Sequence, residues 1–279
     1  MKLAVLSGKG GAGKTLVAVN LAATAGKAVY VDCDVEEPNG RLFLKPERLE
    51  TTQVVSKLPA FDPDKCTGCR KCVDFCRFNA LVFLKDRPMV FHEVCHACGG
   101  CALVCPADAV GETGRPIGMV EQGRRGKLSV VTGILNLGEA SGVPVIQAAQ
   151  RAGMDLGEEL TIMDCPPGSA CSVMESVDQC DCCLLVAEPT AFGFHNFKMV
   201  YELTKVLGKP CGVVINKMDE PYEPLERFCQ EENLPILLRI PFRQELARLA
   251  AQGELICEHD DEAADMFREL LSKLGGMVQ

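Results

Sequence analysis

Short apolar runs alternate with amphipathic stretches along most of this chain. The first run, residues 2–7, is mostly aliphatic and predicts a buried strand. A Gly-rich turn follows, and residues 14–25, rich in Ala, Val and Leu, predict a helix that ends at Gly26. The next apolar run, residues 28–31, ends at the acidic segment 32–34. Strand, helix and strand at this spacing predict a βαβ unit and a parallel sheet.

The same alternation returns in the second half of the chain. Four apolar runs predict further core strands, at residues 128–131, 160–163, 183–187 and 212–215. Predicted helices alternate with these strands, at about residues 140–152, 192–207, 221–232 and 243–252. A last amphipathic helix is predicted for residues 261–274, with an apolar face suited to packing against the sheet.

The middle of the chain follows a different pattern. Residues 81–84 and 88–91 predict a short hairpin within a Cys-rich stretch of turns. The simplest organisation is therefore one α/β domain with a small insert. We predict the first part of the α/β domain at residues 1–58, the insert at 59–114 and the second part at 115–279.

Composition excludes several classes of protein. Hydrophobic residues make up 47% and charged residues 24%, as in ordinary globular proteins. A net charge of −9 argues against binding to nucleic acid or to an anionic membrane surface. No apolar run approaches the ~20 residues that span a bilayer, and the apolar start is too short for a signal peptide. We therefore expect a cytoplasmic protein that does not insert into membranes.

A phosphate-binding loop lies between the first predicted strand and helix. Residues 8–15 match G-x-x-x-x-G-K-[ST], whose glycines let backbone N–H groups converge on phosphate oxygens. Lys14 is expected on the β- and γ-phosphates, and the Thr15 hydroxyl on Mg²⁺. The alternative, a Gly-rich turn without a ligand, is disfavoured by the strand and helix on either side. The expected phosphate cradle is Gly8, Lys9, Gly10, Gly11, Ala12, Gly13, Lys14 and Thr15.

Three carboxylates follow predicted strands. Asp32 and Asp34 end the second strand, and Asp164 ends a later one in the sequence Asp-Cys-Pro-Pro-Gly. An acid after such a strand suits a Walker B role, in which it holds Mg²⁺ directly or through water. A single Asp in this position is more often a helix cap. Three of them beside a phosphate loop favour the metal site.

These motifs together resemble the MinD/Mrp/nitrogenase-iron-protein superfamily, over residues 1–45 and about 125–279. The resemblance implies a P-loop fold with a deviant Walker A motif, and two ATP molecules sandwiched in a homodimer or in a dimer with a close paralogue. It implies that Lys9 reaches the partner's nucleotide; on position alone, Lys9 would be a solvated side chain. It also implies that Asp34 belongs to switch I and positions the attacking water, and that Asp164 begins switch II.

One further position follows from the resemblance. Asn216 begins an Asn-Lys-Met-Asp segment after a predicted strand, as the base-recognition segment does in that superfamily. The resemblance implies that Asn216 contacts adenine. The alternative is a loop-forming Asn-Lys turn without a ligand.

A cysteine repeat marks the insert. Each copy has the spacing C-x₂-C-x₂-C-x₃-C, the arrangement of ferredoxins with two [4Fe–4S] clusters, in which the fourth cysteine binds the other cluster. The pattern assigns cluster I to Cys66, Cys69, Cys72 and Cys105, and cluster II to Cys76, Cys95, Cys98 and Cys101. Zinc is the alternative, since C-x-x-C pairs also bind Zn²⁺, but two consecutive runs of four are more specific. Arg77 stands where proline normally follows the first run.

The chain has 17 cysteines, so nine lie outside the repeat. Most are expected in the core, where free cysteine is common. Cys171 lies just after the predicted switch II, which approaches its twin in a sandwich dimer. We therefore also consider Cys171, or Cys165 with Cys171, as a metal or cofactor site at the dimer interface. A small packed residue is the alternative.

The sequence favours an ATPase in which the nucleotide state of a dimer gates electron transfer through two clusters to a redox or metal-cofactor partner. A cluster carrier or assembly ATPase of the Mrp type is the second reading. A positioning ATPase of the MinD type is the third, and the acidic flank of the last helix disfavours it, since membrane-surface helices favour Lys and Arg.

Overall fold

The computed structural model of this chain describes residues 1–277. Its main β-sheet has nine strands, namely β1 (Lys2–Leu6), β2 (Val29–Asp32), β3 (Glu47–Phe61), β6 (Val110–Arg125), β7 (Leu128–Leu135), β8 (Thr161–Asp164), β9 (Cys182–Ala187), β10 (Cys211–Met218) and β11 (Ile236–Pro241). Their order in the sheet is β11-β10-β9-β1-β8-β2-β7-β6-β3. The seven strands from β11 to β7 run parallel to one another, and β6 runs antiparallel to both β7 and β3.

Helices pack against both faces of this sheet, and the side chains between them form two apolar cores. The helices are α1 (Lys14–Ala25), α2 (Gly40–Leu44), α3 (Lys71–Phe75), α4 (Gly100–Leu103), α5 (Val143–Met154), α6 (Cys171–Asp178), α7 (Ala191–Val206), α8 (Glu223–Glu231), α9 (Gln244–Ala251), α10 (Ile256–His259) and α11 (Asp261–Gly275). The predicted α/β class with a mostly parallel sheet is confirmed.

The last helix is amphipathic and packs on the sheet. Asp260 caps α11 by accepting a hydrogen bond from the Ala263 N–H at 2.8 Å. Phe267, Leu270 and Leu274 are fully buried against the core that also holds α1. Within residues 1–277, none of the helices combines the length and the apolar character needed to cross a bilayer.

Strands β3 and β6 form a long antiparallel arm. They pair from Glu47 opposite Arg124 as far as Phe61 opposite Val110, and only the half of β6 nearer Arg125 also pairs with β7. The Cys-rich segment, residues 62–109, lies at the end of this arm and contains the hairpin of β4 (Leu81–Leu84) and β5 (Arg87–Val90). The domain limits predicted at residues 59 and 114 fall inside the two arm strands.

The sequence pattern did not indicate the arm strands. β3 is exposed at its first seven positions, Glu47–Gln53, so it lacks the apolar alternation of a half-buried strand. Its pairing partner β6 is interrupted by four glycines and one proline. The arm strands are held by their backbone pairing with each other and by Val54, Ile117 and Val120, which lie in the apolar core.

Candidate nucleotide and cluster sites

The phosphate loop connects β1 to α1 with close backbone packing. Gly13 has φ 95°, and a Cβ there would lie 1.9 Å from Asn216 Nδ2. A Cβ at Gly8 would lie 2.2 Å from the carbonyl oxygen of Asn196. Both positions therefore require glycine, since any side chain would displace the loop.

Lys14 and two of the predicted carboxylates meet behind this loop. Lys14 Nζ lies 2.6 Å from Asp164 Oδ1 and 3.6 Å from Asp34 Oδ2. Burial by itself would lower the pKa of Lys14, but the charges of Asp164 and Asp34 outweigh it and raise that pKa. The structure thus brings together three residues that lie far apart in the sequence.

Thr15 completes a set of oxygen atoms around the Lys14 ammonium. Its Oγ1 lies 3.5 Å from Nζ, so hydroxyl and carboxylate oxygens surround one cation. Mg²⁺ prefers oxygen ligands of this kind. The ammonium group stands in for a metal ion among them, and Thr15, Asp34 and Asp164 fit a magnesium site.

Asp32 organises the loop that follows β2. Its Oδ2 accepts a hydrogen bond from the Gly40 N–H at 2.9 Å, and its Oδ1 accepts one from the Asp34 N–H at 3.2 Å. Burial and the nearby charge of Asp164 raise the pKa of Asp32 to about 8. Burial also raises the pKa of Asp34, to about 6, although the charge of Lys14 opposes this change.

Tyr30 is a member of this cluster that the sequence analysis missed. Its hydroxyl donates a hydrogen bond to Asp164 Oδ2 at 2.7 Å, and both side chains are fully buried. Tyr30 reads as an ordinary apolar position within a strand. No sequence signal marks it, because its partner Asp164 lies on the neighbouring strand β8.

Asn216 and Lys217 hold the phosphate loop from the other side. Asn216 Nδ2 donates to the Ala12 carbonyl at 2.8 Å, and Lys217 Nζ donates to the Gly11 carbonyl at 2.7 Å. A cavity of ≈ 260 Å³ opens beside them. Pro241, Phe242 and Arg243, at and just after the end of β11, line the opposite wall. The sequence analysis did not single out these three residues.

Lys9 turns toward its own chain. Its Nζ lies 2.5 Å from Glu188 Oε2 and 5.2 Å from the centre of the Phe192 ring. Glu188 follows β9, and Phe192 lies in the first turn of α7 with 66% of its surface exposed. Lys9 is therefore partnered within one subunit, beside an exposed aromatic side chain.

The eight cysteines of the repeat line two separate cavities. One is lined by Cys66, Cys69, Cys72 and Cys105, and the other by Cys76, Cys95, Cys98 and Cys101. These quartets coincide with the two ligand sets that the spacing predicts. Four thiols around a cavity with otherwise mostly apolar walls are the donor set that a [4Fe–4S] cluster requires, so the residues present fit it.

The sulfur of one cysteine in the first quartet has a backbone partner. Cys105 Sγ accepts a hydrogen bond from the Ala109 N–H at 3.3 Å. Among residues 1–277, no three His, Cys, Asp or Glu side chains converge closely enough for a single metal ion. The thiols of a cubane each bind a different iron, so they need not converge on one point.

The nine other cysteines differ in exposure. Six are buried and fill the core, namely Cys33, Cys165, Cys180, Cys182, Cys183 and Cys229. Burial raises the pKa of Cys165 well above its ordinary value, which keeps this thiol protonated. Cys171, the first residue of α6, is exposed. The two members of the predicted interface pair therefore have different environments.

The phosphate loop, the acids at the strand ends and the parallel sheet agree with a family comparison. The family model described as the CobQ/CobB/MinD/ParA nucleotide binding domain matches residues 3–256. The chain belongs to this family. Nucleotide binding is accordingly a property of the CobQ/CobB/MinD/ParA family to which the chain belongs.

Several proteins are similar to this chain over almost its whole length. An uncharacterised protein of Methanocaldococcus jannaschii is 29% identical over 279 residues, 98% of this chain and 96% of its own. The cell division ATPase MinD of Pyrococcus furiosus has a TM-score of 0.59 at 18% identity, covering 99% of this chain and 98% of its own. MinD of Pyrococcus horikoshii, complexed with Mg-ADP, has a TM-score of 0.58 at 18% identity, covering 98% and 95%.

A second relative matches only a short part of the chain. An uncharacterised ferredoxin of Methanocaldococcus jannaschii is 38% identical over 53 residues, which are 18% of this chain and 69% of the ferredoxin. The CobQ/CobB/MinD/ParA domain of this chain is thus joined to a segment similar to a ferredoxin.

Proposed function

We propose that this protein is an Mg²⁺-dependent ATPase whose nucleotide state gates electron transfer from two [4Fe–4S] clusters, in residues 59–114, to a partner protein. One observation carries the proposal. Two cysteine quartets, each lining its own cavity, lie at the end of an arm that continues the nucleotide-binding sheet. The match to a ferredoxin supports the same reading.

The ATP step begins with Lys14. In this conformation its ammonium group lies between Asp164 and Asp34, and we propose that it turns to the β- and γ-phosphates when ATP binds. Both carboxylates then become available, Asp164 to hold Mg²⁺ with Thr15 and Asp34 to orient the attacking water. Mg²⁺ supplies neutralisation of the charge that develops on the phosphates.

The adenine base of ATP has a suitable site beside the phosphate loop. The cavity between Asn216 and Pro241 adjoins Gly13, at the start of α1. Its walls include apolar side chains, which suit the faces of an adenine ring, and Asn216 is the polar group that we propose reads the edge of the base. Its hydrogen bond to Ala12 joins base recognition to the phosphate loop.

A dimer places Lys9 at the second nucleotide. We propose that the ion pair of Lys9 with Glu188 breaks when two subunits close, so that Lys9 reaches the partner subunit's phosphates. The exposed Phe192 beside it provides apolar surface for the same contact. The partner is a second copy of this chain or a close paralogue.

The link to the clusters runs through the chain itself. The segment after Asp34 leads into α2 and then into β3, which is one strand of the arm. A rearrangement around Asp34 on ATP binding therefore acts at the root of the arm. We propose that this changes how the cluster module meets its redox partner, since γ-phosphate contacts order such segments in other switches.

The cluster module suits electron transfer at its surface. We propose that Cys66, Cys69, Cys72 and Cys105 hold cluster I, and Cys76, Cys95, Cys98 and Cys101 hold cluster II. Cys69 and Cys98 are exposed, one in each quartet, so both clusters would lie close to solvent and to a docking protein. The clusters supply one-electron chemistry, and eight cysteine ligands imply that they are held permanently.

Iron analysis tests the cluster assignment. Protein purified without oxygen should contain about eight iron atoms per chain, as two cubanes require. Cys69→Ser and Cys98→Ser should each lower iron to about four, while Cys171→Ala should leave it unchanged. Stoichiometric zinc in place of iron would contradict the assignment.

A separate experiment tests whether ATP gates electron transfer. The reduced protein is mixed with an acceptor protein encoded beside it, and bleaching of the cluster absorbance is followed with ATP, with ADP and without nucleotide. We expect ATP to change the rate in the wild type but not in Lys14→Ala. Equal rates under all three conditions would contradict gated electron transfer while leaving the cluster assignment intact.

Cluster assembly or delivery is the second candidate function. The exposed thiol of Cys171 favours it, because this residue begins α6 directly after the predicted switch II. A carrier would transfer iron to an apo-acceptor in an ATP-dependent manner, and Cys171→Ala would abolish the transfer. If the wild-type protein transfers no iron, or if Cys171→Ala transfers iron as fast as the wild type, a carrier function through Cys171 is excluded.

A further inference from the structure

The buried hydroxyl of Tyr30 lies beside the candidate magnesium site, on the core side of Asp164. Tyr30 is in β2, surrounded by the apolar side chains of the core between the sheet and α1. A tyrosine in this environment needs a partner for its hydroxyl, because a buried polar group without one is costly. That partner is Asp164 Oδ2, at 2.7 Å.

The two oxygens of Asp164 have separate partners. Oδ1 lies 2.6 Å from Lys14 Nζ, whereas Oδ2 accepts the hydrogen bond from Tyr30. If Lys14 turns to a phosphate, Asp164 loses one partner and keeps the other. The carboxylate would then still be held in one orientation, with Oδ1 directed toward the nucleotide side.

Gly40 fixes the position of the same hydroxyl from the opposite side. A Cβ at Gly40 would lie 2.0 Å from Tyr30 Oη and 2.4 Å from its ring carbon Cζ. The Gly40 N–H donates to Asp32 Oδ2 at 2.9 Å, so the backbone of this glycine is also held. Tyr30 is thus confined between Asp164 and the first residue of α2.

We propose that Tyr30 is a positioning residue for the metal site: it holds Oδ2 of Asp164 so that Oδ1 is presented to Mg²⁺, and Gly40 holds Tyr30 in place. The inference rests on the proposed magnesium role of Asp164.

A role for Tyr30 in coupling follows from its neighbours. Gly40 opens α2, and α2 leads into β3 of the arm. A shift of Asp164 together with Tyr30 on metal binding would therefore reach α2 through one hydroxyl group. This contact joins the nucleotide site to the segment that carries the cluster module.

The test measures how strongly Mg²⁺ increases the affinity for ADP. Calorimetric titration of ADP with EDTA and with Mg²⁺ gives two dissociation constants, and their ratio is the magnesium linkage. For Tyr30→Phe we expect the constant in EDTA to stay within about twofold of wild type. We expect the linkage to fall about tenfold, the effect of losing one hydrogen bond to a charged group.

Gly40→Ala provides an independent variant. The added methyl group displaces the Tyr30 hydroxyl without removing it, and we expect a loss of linkage in the same direction. Two matched controls test the specificity. Tyr201→Phe removes a hydroxyl that donates to Glu232 at 2.9 Å, far along the chain, and Gly275→Ala adds a methyl group in open space. Both should keep the wild-type linkage.

A wild-type measurement covers the case in which these variants do not fold. The chain has three tyrosines, so 3-fluorotyrosine labelling gives three ¹⁹F resonances. Tyr201→Phe and Tyr222→Phe identify the resonance of Tyr30 by elimination. Mg-ADP should shift that resonance relative to ADP alone, and an unchanged resonance would overturn the inference.

Asp164→Asn separates this inference from the proposed function. If Asp164→Asn abolishes the linkage while Tyr30→Phe retains it, Asp164 binds magnesium without help from Tyr30 and the positioning role is wrong. If Asp164→Asn itself retains the linkage, the magnesium role of Asp164 is wrong. Loss in both variants, with both controls unchanged, supports the positioning role.

Discussion

At the residue scale, the main feature is a buried lysine that is paired with a fully buried carboxylate. Lys14 is 6% exposed, and Asp164 has no exposed surface. A buried charge without a partner costs several kcal/mol, so this pair is retained only because each member satisfies the other. The positive charge of Lys14 therefore compensates the buried charge of Asp164 in this conformation.

Replacing Lys14 should affect both binding and stability. Lys14→Ala removes the phosphate ligand, and we expect the affinity for ATP to fall by about 100-fold, or roughly 3 kcal/mol. It also leaves Asp164 and Asp34 without their cation, so the nucleotide-free protein should be destabilised by about 3 kcal/mol. Calorimetry and chemical denaturation measure the two effects. Lys27→Ala, at an exposed position, is the control and should change neither.

Substitution of Asn216 distinguishes recognition of the adenine base from support of the phosphate loop. If Asn216 contacts adenine, Asn216→Ala should weaken ATP binding by about tenfold, one hydrogen bond in a desolvated site. Binding of inorganic triphosphate, which has no base, should change by less than twofold. An equal loss for both ligands would show that Asn216 acts only through its hydrogen bond to Ala12.

At the scale of elements, the arm joins the main sheet to a segment that has a small core of its own. Its strands continue the backbone pairing of the main sheet, and the segment between them has its own buried side chains, including Ala80 and Leu81. Phe61 and Val110 face each other at the last pair of the ladder. The module can therefore be removed where the two strands are already adjacent.

Deletion of residues 62–109 tests this separation. We expect a chain in which Asn-Gly joins Phe61 to Val110 to fold, because this dipeptide favours the two-residue hairpin turn. ADP affinity should remain within about threefold of wild type, with no bound iron. Circular dichroism, calorimetry and iron analysis check the three expectations. A chain that folds but no longer binds ADP would show that the module contributes to the nucleotide site.

At the scale of the whole molecule, the proposed dimer would depend on a balance at Lys9. This residue pairs with Glu188 in one subunit, and the proposed dimer requires it to pair with phosphate in the other. A net charge of −9 on each chain opposes association unless such contacts outweigh the repulsion. The ion pair within the subunit therefore competes with the dimer.

Opposite effects are expected from changing the two members of that pair. Lys9→Ala should keep ATP binding within about fivefold but prevent ATP-dependent dimerisation. Glu188→Gln should release Lys9 and increase the dimer fraction at a given concentration, by severalfold in the association constant. Light scattering after size-exclusion chromatography measures both. A Lys9→Ala variant that dimerises normally with ATP would contradict the role of Lys9 across the interface.

The elements that could be predicted from the sequence are those that bury a regular row of apolar side chains. The helices at α1, α7 and α11 lie within a few residues of their predicted limits, because apolar side chains recur with a regular period along them. The arm strands were not predicted because the first seven positions of β3 are exposed and glycines interrupt β6, and α2 was not predicted because it is only five residues long. The last parallel strand, β11, was also missed, although its aliphatic run Ile236–Ile240 carries a usable signal.

The nucleotide and cluster sites were predictable where function demands a fixed local spacing. The phosphate loop and the cysteine repeat are short motifs, because backbone N–H groups or thiols must reach one ligand from one loop. Asp34 and Asp164 followed from their places at strand ends. Glu188, Tyr30 and Gly40 carry no motif, since each acts on a residue from a different strand or loop.

The sequence by itself determined the α/β class, the nucleotide loop and the two cysteine quartets, since local spacing and hydrophobic period specify these features. The tertiary structure decided which distant groups meet. Parallel pairing of β1, β2 and β8 brings Lys14, Tyr30 and Asp164 into one buried cluster, and the β3–β6 ladder sets the cysteine module apart from it. Such contacts arise from the order of strands in the sheet, which the linear pattern of residues does not record.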